Sequence, residues 1–209
     1  MTEKEYLNAH STPASEALQW LERQTHLRTN HARMLSGREQ GSLLSLISAL
    51  ANPSCILELG VFTGYSTICL AEGLAPGGTI HAVEINDELE DLIREGYDRA
   101  GISDKVQLHF GDAREIIPTL DCRFDLVYID ANKREYPDYY RLVIDKVATG
   151  GLILADNVLW DGKVLQDPMP QDAQTKGIAE FNDMVAADPR VEVFILPVRD
   201  GLSIIRKLS

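Results

Sequence analysis

The stretch ILELGVFTGYS at residues 56–66 decides the fold of this chain, because a short apolar run stops there at Gly60 and a helix-like segment follows. Gly60 and Gly64 can adopt backbone angles closed to other residues, and they let a ligand approach the main chain. The next apolar run, residues 78–84, ends at Glu84, whose carboxylate can accept both hydroxyls of a ribose. The pattern predicts nucleoside binding on a doubly wound sheet. An ordinary strand-turn-helix whose glycines relieve steric crowding is the alternative.

The glycine spacing indicates which nucleoside fits. Gly60-x-x-x-Gly64 differs from the G-x-G-x-x-G spacing that clamps a pyrophosphate. A nucleoside without phosphates therefore fits better than NAD, and S-adenosylmethionine (SAM) is such a ligand. An NAD-type oxidoreductase would use the same βαβ unit and is a less favoured alternative, because the third glycine is missing.

Outside this stretch, apolar runs alternate with helix-like segments. The pattern predicts strands at 55–59, 79–84, 106–110, 126–129 and 152–155, and helices at 65–74, 87–100, 113–120 and 136–147. Two earlier helices are predicted at 15–24 and 39–50, the second ended by Asn52-Pro53. Asp87 and Glu90 are spaced as in a capping box. Strands that alternate with helices predict an α/β fold with a parallel sheet covered on both faces.

The C-terminal part departs from this alternation. A helix at 172–187 leads to apolar runs at 191–196 and 202–207, which are joined only by a short turn. Such a turn joins antiparallel neighbours, since a parallel crossover needs about a dozen residues or more. The sequence therefore predicts a mostly parallel, seven-stranded sheet that ends in an antiparallel hairpin. The irregular segment 159–171 follows a strand end, where lids tend to occur.

Length and composition limit the class of protein. With 209 residues, 44% of them hydrophobic, the chain is expected to form one domain, with N-terminal helices at 1–52 and a Rossmann-like core at 53–209. The net charge of −12 argues against a large nucleic-acid interface, which needs clustered lysines and arginines. No apolar run approaches the roughly 20 residues that span a membrane, and no signal peptide is visible, so a cytoplasmic enzyme is expected.

The cysteines and histidines give no motif. Cys55, Cys69 and Cys122 lack C-x-x-C spacing and are interpreted as small core residues of a reducing cytosol, not as a disulfide or zinc set. The five histidines show no metal-binding spacing, so no catalytic role is assigned to them.

Polar side chains follow two of the predicted strands. Asp130, Asp156 and Asn157 place three oxygen donors at the carboxyl edge of the sheet, where ligands of such sheets collect. Two carboxylates and an amide are hard ligands, expected for Mg²⁺, with Ca²⁺ or Mn²⁺ as alternatives. Turn and helix-cap roles are the other interpretation of these residues, and Glu58 and Glu84 could be solvated charges at strand ends.

Lys133 lies three residues after Asp130, within reach of the same site. A lysine beside a cation and an apolar pocket has its ammonium form disfavoured, so it can act as a general base. A surface lysine is the alternative.

Taken together, these motifs resemble those of the cation-dependent class I O-methyltransferases, the superfamily of catechol and caffeoyl-CoA O-methyltransferases. The resemblance covers nearly the whole chain. It rests on the segments 58–66, 83–86, 111–113, 128–133, 156–160 and 199–202. It implies a Rossmann-like fold, a SAM cofactor, a divalent metal and methyl transfer to a hydroxyl of a catechol-like small molecule. Homodimers are common in this family, and the N-terminal helices could form the interface.

The resemblance also implies a role for each matching residue. Residues expected at the cofactor are Met34, Gly41, Glu58, Gly60, Tyr65, Ser66, Glu84, Asp112, Ala113 and Asp130. Among them, Glu84 matches the residue that binds the ribose, Ser66 the one that contacts the methionine carboxylate, and Asp112 and Ala113 the segment beside the adenine. Asp130, Asp156 and Asn157 match the metal ligands. Lys133, assisted by Asp130, matches the catalytic group that takes the phenolic proton.

The chain departs from the family pattern at two points, and other functions stay open. Residues 37–41 replace a Ser-Pro-Glu-x-Gly segment, and Asn132 replaces a common acidic residue. Within the same chemistry, a tRNA wobble 5-hydroxyuridine methyltransferase is an alternative, although the net charge of −12 disfavours it. A non-catalytic SAM-binding module is less favoured, because the metal set and the lysine are intact.

Overall fold

A computed structural model describes the backbone of residues 1–209 and the side chains of all except residues 3 and 4, and over these residues the strands form one seven-stranded sheet. The strands are β1 (Cys55–Leu59), β2 (Thr79–Glu84), β3 (Val106–Phe110), β4 (Phe124–Ile129), β5 (Val147–Asp156), β6 (Val191–Leu196) and β7 (Leu202–Lys207). Their order is β3-β2-β1-β4-β5-β7-β6. Neighbours among β1 to β5 are parallel, and β7 is antiparallel to both β5 and β6. The predicted fold class is confirmed.

Helices cover both faces of the sheet. They are α1 (Glu3–Ala9), α2 (Glu16–Arg28), α3 (Gly37–Ala51), α4 (Tyr65–Ala71), α5 (Glu90–Ala100), α6 (Ala113–Ile116), α7 (Tyr136–Val143) and α8 (Ala173–Ala187). Short 3₁₀ turns lie at Ala32–Met34, Asp87–Leu89, Ile117–Thr119, Lys133–Glu135 and Lys163–Leu165. Among the described residues, every helix is too short or too polar to span a bilayer.

Successive side chains of each strand point to opposite faces of the sheet, so a hydrophobic core forms on each face. Leu57 and Leu59 of β1 join the core under α6, α7 and α8, where the rings of Tyr136 and Phe181 meet edge to face at 5.4 Å. Ile56, one residue before Leu57, joins the opposite core under α2 to α5. Each fully buried large apolar side chain contributes roughly 1.5–3 kcal/mol relative to exposure. The sheet is therefore fixed from both sides, and its carboxyl edge is a rigid support for ligand-binding loops.

Specific caps define the ends of the N-terminal helices, and one arginine links α3 to the segment before α2. Ser15 caps α2 through the backbone N–H of Leu18, and Asn52 ends α3 in the left-handed conformation with φ of 46°. The guanidinium of Arg38 in α3 donates to the side chain of Asn8 at 2.9 Å and to the carbonyl of Ser11 at 2.8 Å. The segment before α2 is thereby held against α3.

Several element limits differ from the sequence predictions. Helix α4 ends at Ala71 instead of residue 74, and α7 ends at Val143, because residues from Val147 onward already belong to β5. The capping box predicted from Asp87 and Glu90 was wrong. Instead, the Asn86 side chain accepts a hydrogen bond from the N–H of Glu88. The single-domain assignment stays a prediction.

Candidate active site

A cavity of about 1020 Å³ opens at the carboxyl edge of β1, β2 and β4, where the strand order changes direction. Ligands bind at such switch points in open α/β sheets. The predicted site residues that line it are Met34, Gly60, Tyr65, Ser66, Glu84, Asp112, Ala113, Asp130, Lys133, Asp156 and Asn157. Gly41 and Glu58 are not in the cavity wall but lie directly behind it. The structure thus brings together residues that are up to 123 positions apart in the sequence, from Met34 to Asn157.

Glu84 ends β2 with a carboxylate that organises the glycine loop. One oxygen accepts the backbone N–H groups of Val61 and Phe62 at 2.9 and 2.7 Å, and the other accepts that of Asn86 at 2.9 Å. The residue is only 8% exposed. Its carboxylate therefore fixes the loop and lines the cavity at the same time.

Gly60 and Gly64 are required by close packing and by backbone conformation. Both have φ of 90°. A Cβ on Gly60 would lie 2.2 Å from the carbonyl oxygen of Asp130, and one on Gly64 would lie 2.7 Å from the ring of Tyr97. The close contact at Gly60 brings the end of β4, and with it the Asp130 side chain, next to the glycine loop.

Glu58 is fully buried behind Ser66. The Ser66 hydroxyl donates to Oε1 of Glu58, whereas Oε2 is buried with no hydrogen-bond partner among the described residues. Burial raises the pKa of Glu58 from 4.5 to about 7, although the nearby hydroxyls of Ser66 and Thr67 act in the opposite direction.

Gly41 serves the packing of α3 on α4. A Cβ at this position would lie 2.7 Å from the Tyr65 ring and 2.8 Å from the sulfur of Cys69. Gly41 therefore supports Tyr65, which forms part of the cavity wall. Met34, in contrast, is 56% exposed at the cavity mouth.

Asp156 is held at the end of β5 by two donors. Gln40 of α3 donates to Oδ2 at 2.6 Å, and the backbone N–H of Asn157 donates to Oδ1 at 2.8 Å. Burial, and then the charge of Asp130, raises the pKa of Asp156 to about 6. The negative charges of Asp130 and Asp156 repel each other, and a bound cation would relieve that repulsion.

Lys133 forms a buried ion pair with Asp130. Its ammonium lies 2.7 Å from Oδ1 of Asp130 and 2.6 Å from the hydroxyl of Tyr136, and the residue is 7% exposed. The Tyr136 hydroxyl in turn lies 2.9 Å from the carbonyl oxygen of Asp156. Lys133 is therefore oriented by a neutral group on one side and by a proposed cation ligand on the other.

Asp112 caps α6 and pairs with Arg114. Its carboxylate accepts the backbone N–H of Arg114 at 2.9 Å and lies 2.6 Å from the guanidinium. The hydrogen bond from this guanidinium holds the pKa of Asp112 below its usual value. Asp112 and Ala113 both line the cavity near the end of β3, and their contact with the adenine stays a prediction.

Several residues for which the sequence predicted no role also lie at the site. Gln40 bridges Asp156 and the hydroxyl of Tyr128, and Tyr136 orients Lys133. Trp160 lines the cavity. Its indole N–H is buried and has no hydrogen-bond partner among the described residues. Arginines 28, 33, 114, 134 and 199 also line the cavity. No signal in the sequence marked Gln40, because its burial and its contacts depend on how α3 packs against the sheet.

Comparison with known proteins identifies the class. The family model described as O-methyltransferase matches residues 8–208. Caffeoyl-CoA O-methyltransferase 1 of Eucalyptus globulus is 35% identical over 189 residues, covering 84% of this chain and 76% of the relative. The O-methyltransferase TomG of Streptomyces achromogenes, solved in complex with SAM, has a TM-score of 0.91 at 29% identity and covers 100% of both chains. The O-methyltransferase of Bacillus cereus in complex with SAH has a TM-score of 0.88 at 28% identity, covering 97% and 96%.

The chain therefore belongs to the O-methyltransferase family and is an enzyme of the class I methyltransferase fold. This confirms the predicted family.

Proposed function

We propose that this chain transfers a methyl group from SAM to a hydroxyl of a catechol-like small molecule. The transfer requires a divalent cation, with Mg²⁺ as the preferred ion. The observation that carries the proposal is that two sets of residues line the same cavity. One set is Glu84 and residues 60–63 of the glycine loop, and the other is Asp130, Lys133 and Asp156.

The residues on the first side fit SAM. The Glu84 carboxylate suits the two ribose hydroxyls. The Ser66 hydroxyl at the cavity wall, which donates to the buried Glu58, suits the methionine moiety. Homologous enzymes have been solved with SAM or SAH, which supports this assignment.

The residues on the second side fit a hard divalent cation. Asp130, Asp156 and Asn157 supply only oxygen donors, the set that Mg²⁺, Ca²⁺ and Mn²⁺ prefer. Burial and the charge of Asp130 raise the pKa of Asp156. A bound cation would lower this pKa again. When bound, SAM supplies an electrophilic methyl group, and a divalent cation stabilises the anionic form of an acceptor hydroxyl.

Lys133 is the group of this chain that is placed to hold the proton of the acceptor hydroxyl. Tyr136 keeps the ammonium nitrogen at the cavity wall, and the Tyr136 hydroxyl is itself anchored to the main chain of Asp156. The same ion pair places Lys133 and Asp130 within one hydrogen bond of each other. If the cavity holds the acceptor hydroxyl and the SAM methyl group in the reacting geometry, that orientation can supply roughly 7–11 kcal/mol of a barrier.

The acceptor is inferred from the remaining wall. Trp160 lines the cavity, and its aromatic side chain suits an acceptor that contains an aromatic ring. The cavity arginines suit an acceptor with an anionic tail, although the chain as a whole has a net charge of −12. Relatives named as caffeoyl-CoA O-methyltransferases agree with such an acceptor. The relatives reported above give no support to the tRNA alternative.

A matched pair of acceptors tests this proposal. Methyl transfer from labelled SAM is measured with caffeate and with coumarate, which lacks one of the two adjacent hydroxyls, each also as the CoA ester. The proposal predicts metal-dependent labelling of the vicinal diols and little labelling of the monohydroxy compounds. Equal labelling of both would contradict a catechol-type acceptor.

We retain the homodimer and the cytoplasmic location as proposals. Light scattering of the purified chain in solution measures the first. Fractionation of the source cells measures the second.

A further inference from the structure

A group of sulfur and nitrogen side chains lies near the opposite end of the sheet strands from the active site. The ligand atoms of Cys55, His81 and Cys122 are all within 4.8 Å of one another, and each residue is half-buried. Cys55 begins β1, His81 lies in β2, and Cys122 precedes β4. Because β1 lies between β2 and β4, the sheet itself brings them together. Cys55 and Leu59, at the two ends of β1, are about 13 Å apart along the strand.

The spacing of these atoms suits one tetrahedral ion. Two ligand atoms on a tetrahedral zinc ion lie roughly 3.5–3.8 Å apart, given bond lengths of about 2.0–2.3 Å. The sulfur of Cys122 lies 3.7 Å from Nε2 of His81. Small rotations of half-buried side chains are therefore enough to bring the three ligand atoms to one ion.

His81 has the outer hydrogen bond that is typical of a metal-binding histidine. Its Nδ1 lies 3.2 Å from Nε2 of His109, and the two rings stack with centroids 5.4 Å apart. The edge of Phe124 meets the His81 ring at 6.2 Å. If Nδ1 carries the hydrogen and donates to His109, then Nε2 presents its lone pair to the two sulfurs. His109 would thus act as a positioning residue.

We propose that Cys55, Cys122 and His81 bind one thiophilic divalent cation, with Zn²⁺ as the preferred ion and a water molecule in the fourth position. Two thiolates and an imidazole select Zn²⁺ over Mg²⁺, which prefers oxygen donors. The site is separate from the oxygen-donor set of the active site. Bound metal would tie β1, β2 and the segment before β4 together.

The protonation state of His81 favours metal binding, whereas that of Cys55 requires the metal to displace a proton. Burial and the neighbouring His109 lower the pKa of His81, so the imidazole is neutral and able to bind a metal. Burial and the nearby Cys122 raise the pKa of Cys55 to about 12, so the thiol keeps its proton until a cation replaces it. Binding of the metal should therefore release protons.

Cobalt spectroscopy tests the site directly. Co²⁺ is added to the reduced full-length protein in the presence of excess Mg²⁺, which occupies oxygen-donor sites. The proposal predicts one equivalent of Co²⁺ with thiolate-to-cobalt charge-transfer bands and the visible bands of tetrahedral cobalt, both displaced by Zn²⁺. Zn²⁺ should also raise Tm by roughly 5–10 °C when it is well above its Kd.

Variants locate the ligands. Cys55→Ser and Cys122→Ser should each lose or strongly weaken the thiolate bands, whereas Cys69→Ala, a cysteine outside the group, should retain them. His109→Gln should keep the bands but weaken Co²⁺ binding by roughly 10–100-fold. Thermal unfolding of each variant without metal shows whether it is folded. Absence of thiolate bands in the wild type, or their survival in both serine variants, would overturn the proposal.

Discussion

Replacement of Glu58 by glutamine tests the electrostatics behind the glycine loop. Glu58 is fully buried, and its pKa is raised from 4.5 to about 7 by that burial. Between these values the unfolded chain has released the carboxyl proton while the folded chain retains it. The folded state therefore loses stability as the pH rises from about 4.5 to about 7. An amide at this position has no proton to lose, so Glu58→Gln should lose none of this stability.

The size of the effect follows from the same shift. The raised pKa of Glu58 lowers the free energy of unfolding by about 1 kcal/mol at about pH 5 and by about 3 kcal/mol at about pH 8. The stability difference between Glu58→Gln and the wild type should therefore change by about 2 kcal/mol in favour of the variant between these two conditions. Every other titrating group is shared by both proteins, so its contribution cancels in the difference.

Urea unfolding at the two pH values, without SAM, measures this change. Glu39→Gln is the matched control, because it makes the same substitution at an exposed carboxylate of α3. If the stability curves of Glu58→Gln and wild type run parallel with pH, then Glu58 does not ionise at an unfavourable buried site. That result would refute the reasoning.

Three further variants test individual parts of the site. Asp156→Ala should lower turnover at least roughly 100-fold and leave the Kd for SAM within roughly threefold; normal turnover without added metal would contradict its role. Glu84→Ala should weaken SAM binding roughly 10- to 100-fold in calorimetry, with Glu84→Gln intermediate, and an unchanged Kd would remove Glu84 from the ribose site. Gly60→Ala should lower the free energy of unfolding by at least about 2 kcal/mol, since its Cβ would lie 2.2 Å from the carbonyl oxygen of Asp130; wild-type stability in urea would show that the loop relaxes freely.

Much of the fold was predictable because the strands are short, apolar and separated by clear turns. The limits of β1, β2, β3, β6 and β7 agree with the sequence prediction. The start of β5 was missed because its first half runs through Gly150 and Gly151, which indicate a turn. Gly150 has φ of 82°, but pairing of β5 with β4 still starts at Val147. Tertiary pairing overrode the local signal.

The candidate site was predictable where function follows strand ends. Asp130 and Asp156 lie at the carboxyl edge because their strands are parallel neighbours, a consequence of topology alone. Gln40 could not be assigned, because its contact with Asp156 depends on how α3 packs across the sheet. Glu58 was predicted to lie at the cofactor, but its position behind Ser66 is visible only in the structure.

The cysteines are a second case in which the sequence did not show which residues lie together. Cys55 and Cys122 were interpreted as small core residues, because nothing in their sequence spacing suggests a shared site. The structure leaves both half-buried and places them beside His81 through strand order. Only Cys69 is buried as that interpretation required.

The most direct test of the proposed function is the initial rate of methyl transfer from labelled SAM to caffeoyl-CoA by protein treated with EDTA, before and after Mg²⁺ is restored. The account predicts almost no transfer with EDTA while SAM still binds, and full recovery with Mg²⁺. A rate unaffected by EDTA would show that Asp130, Asp156 and Asn157 do not act through a cation, and the central claim would be wrong.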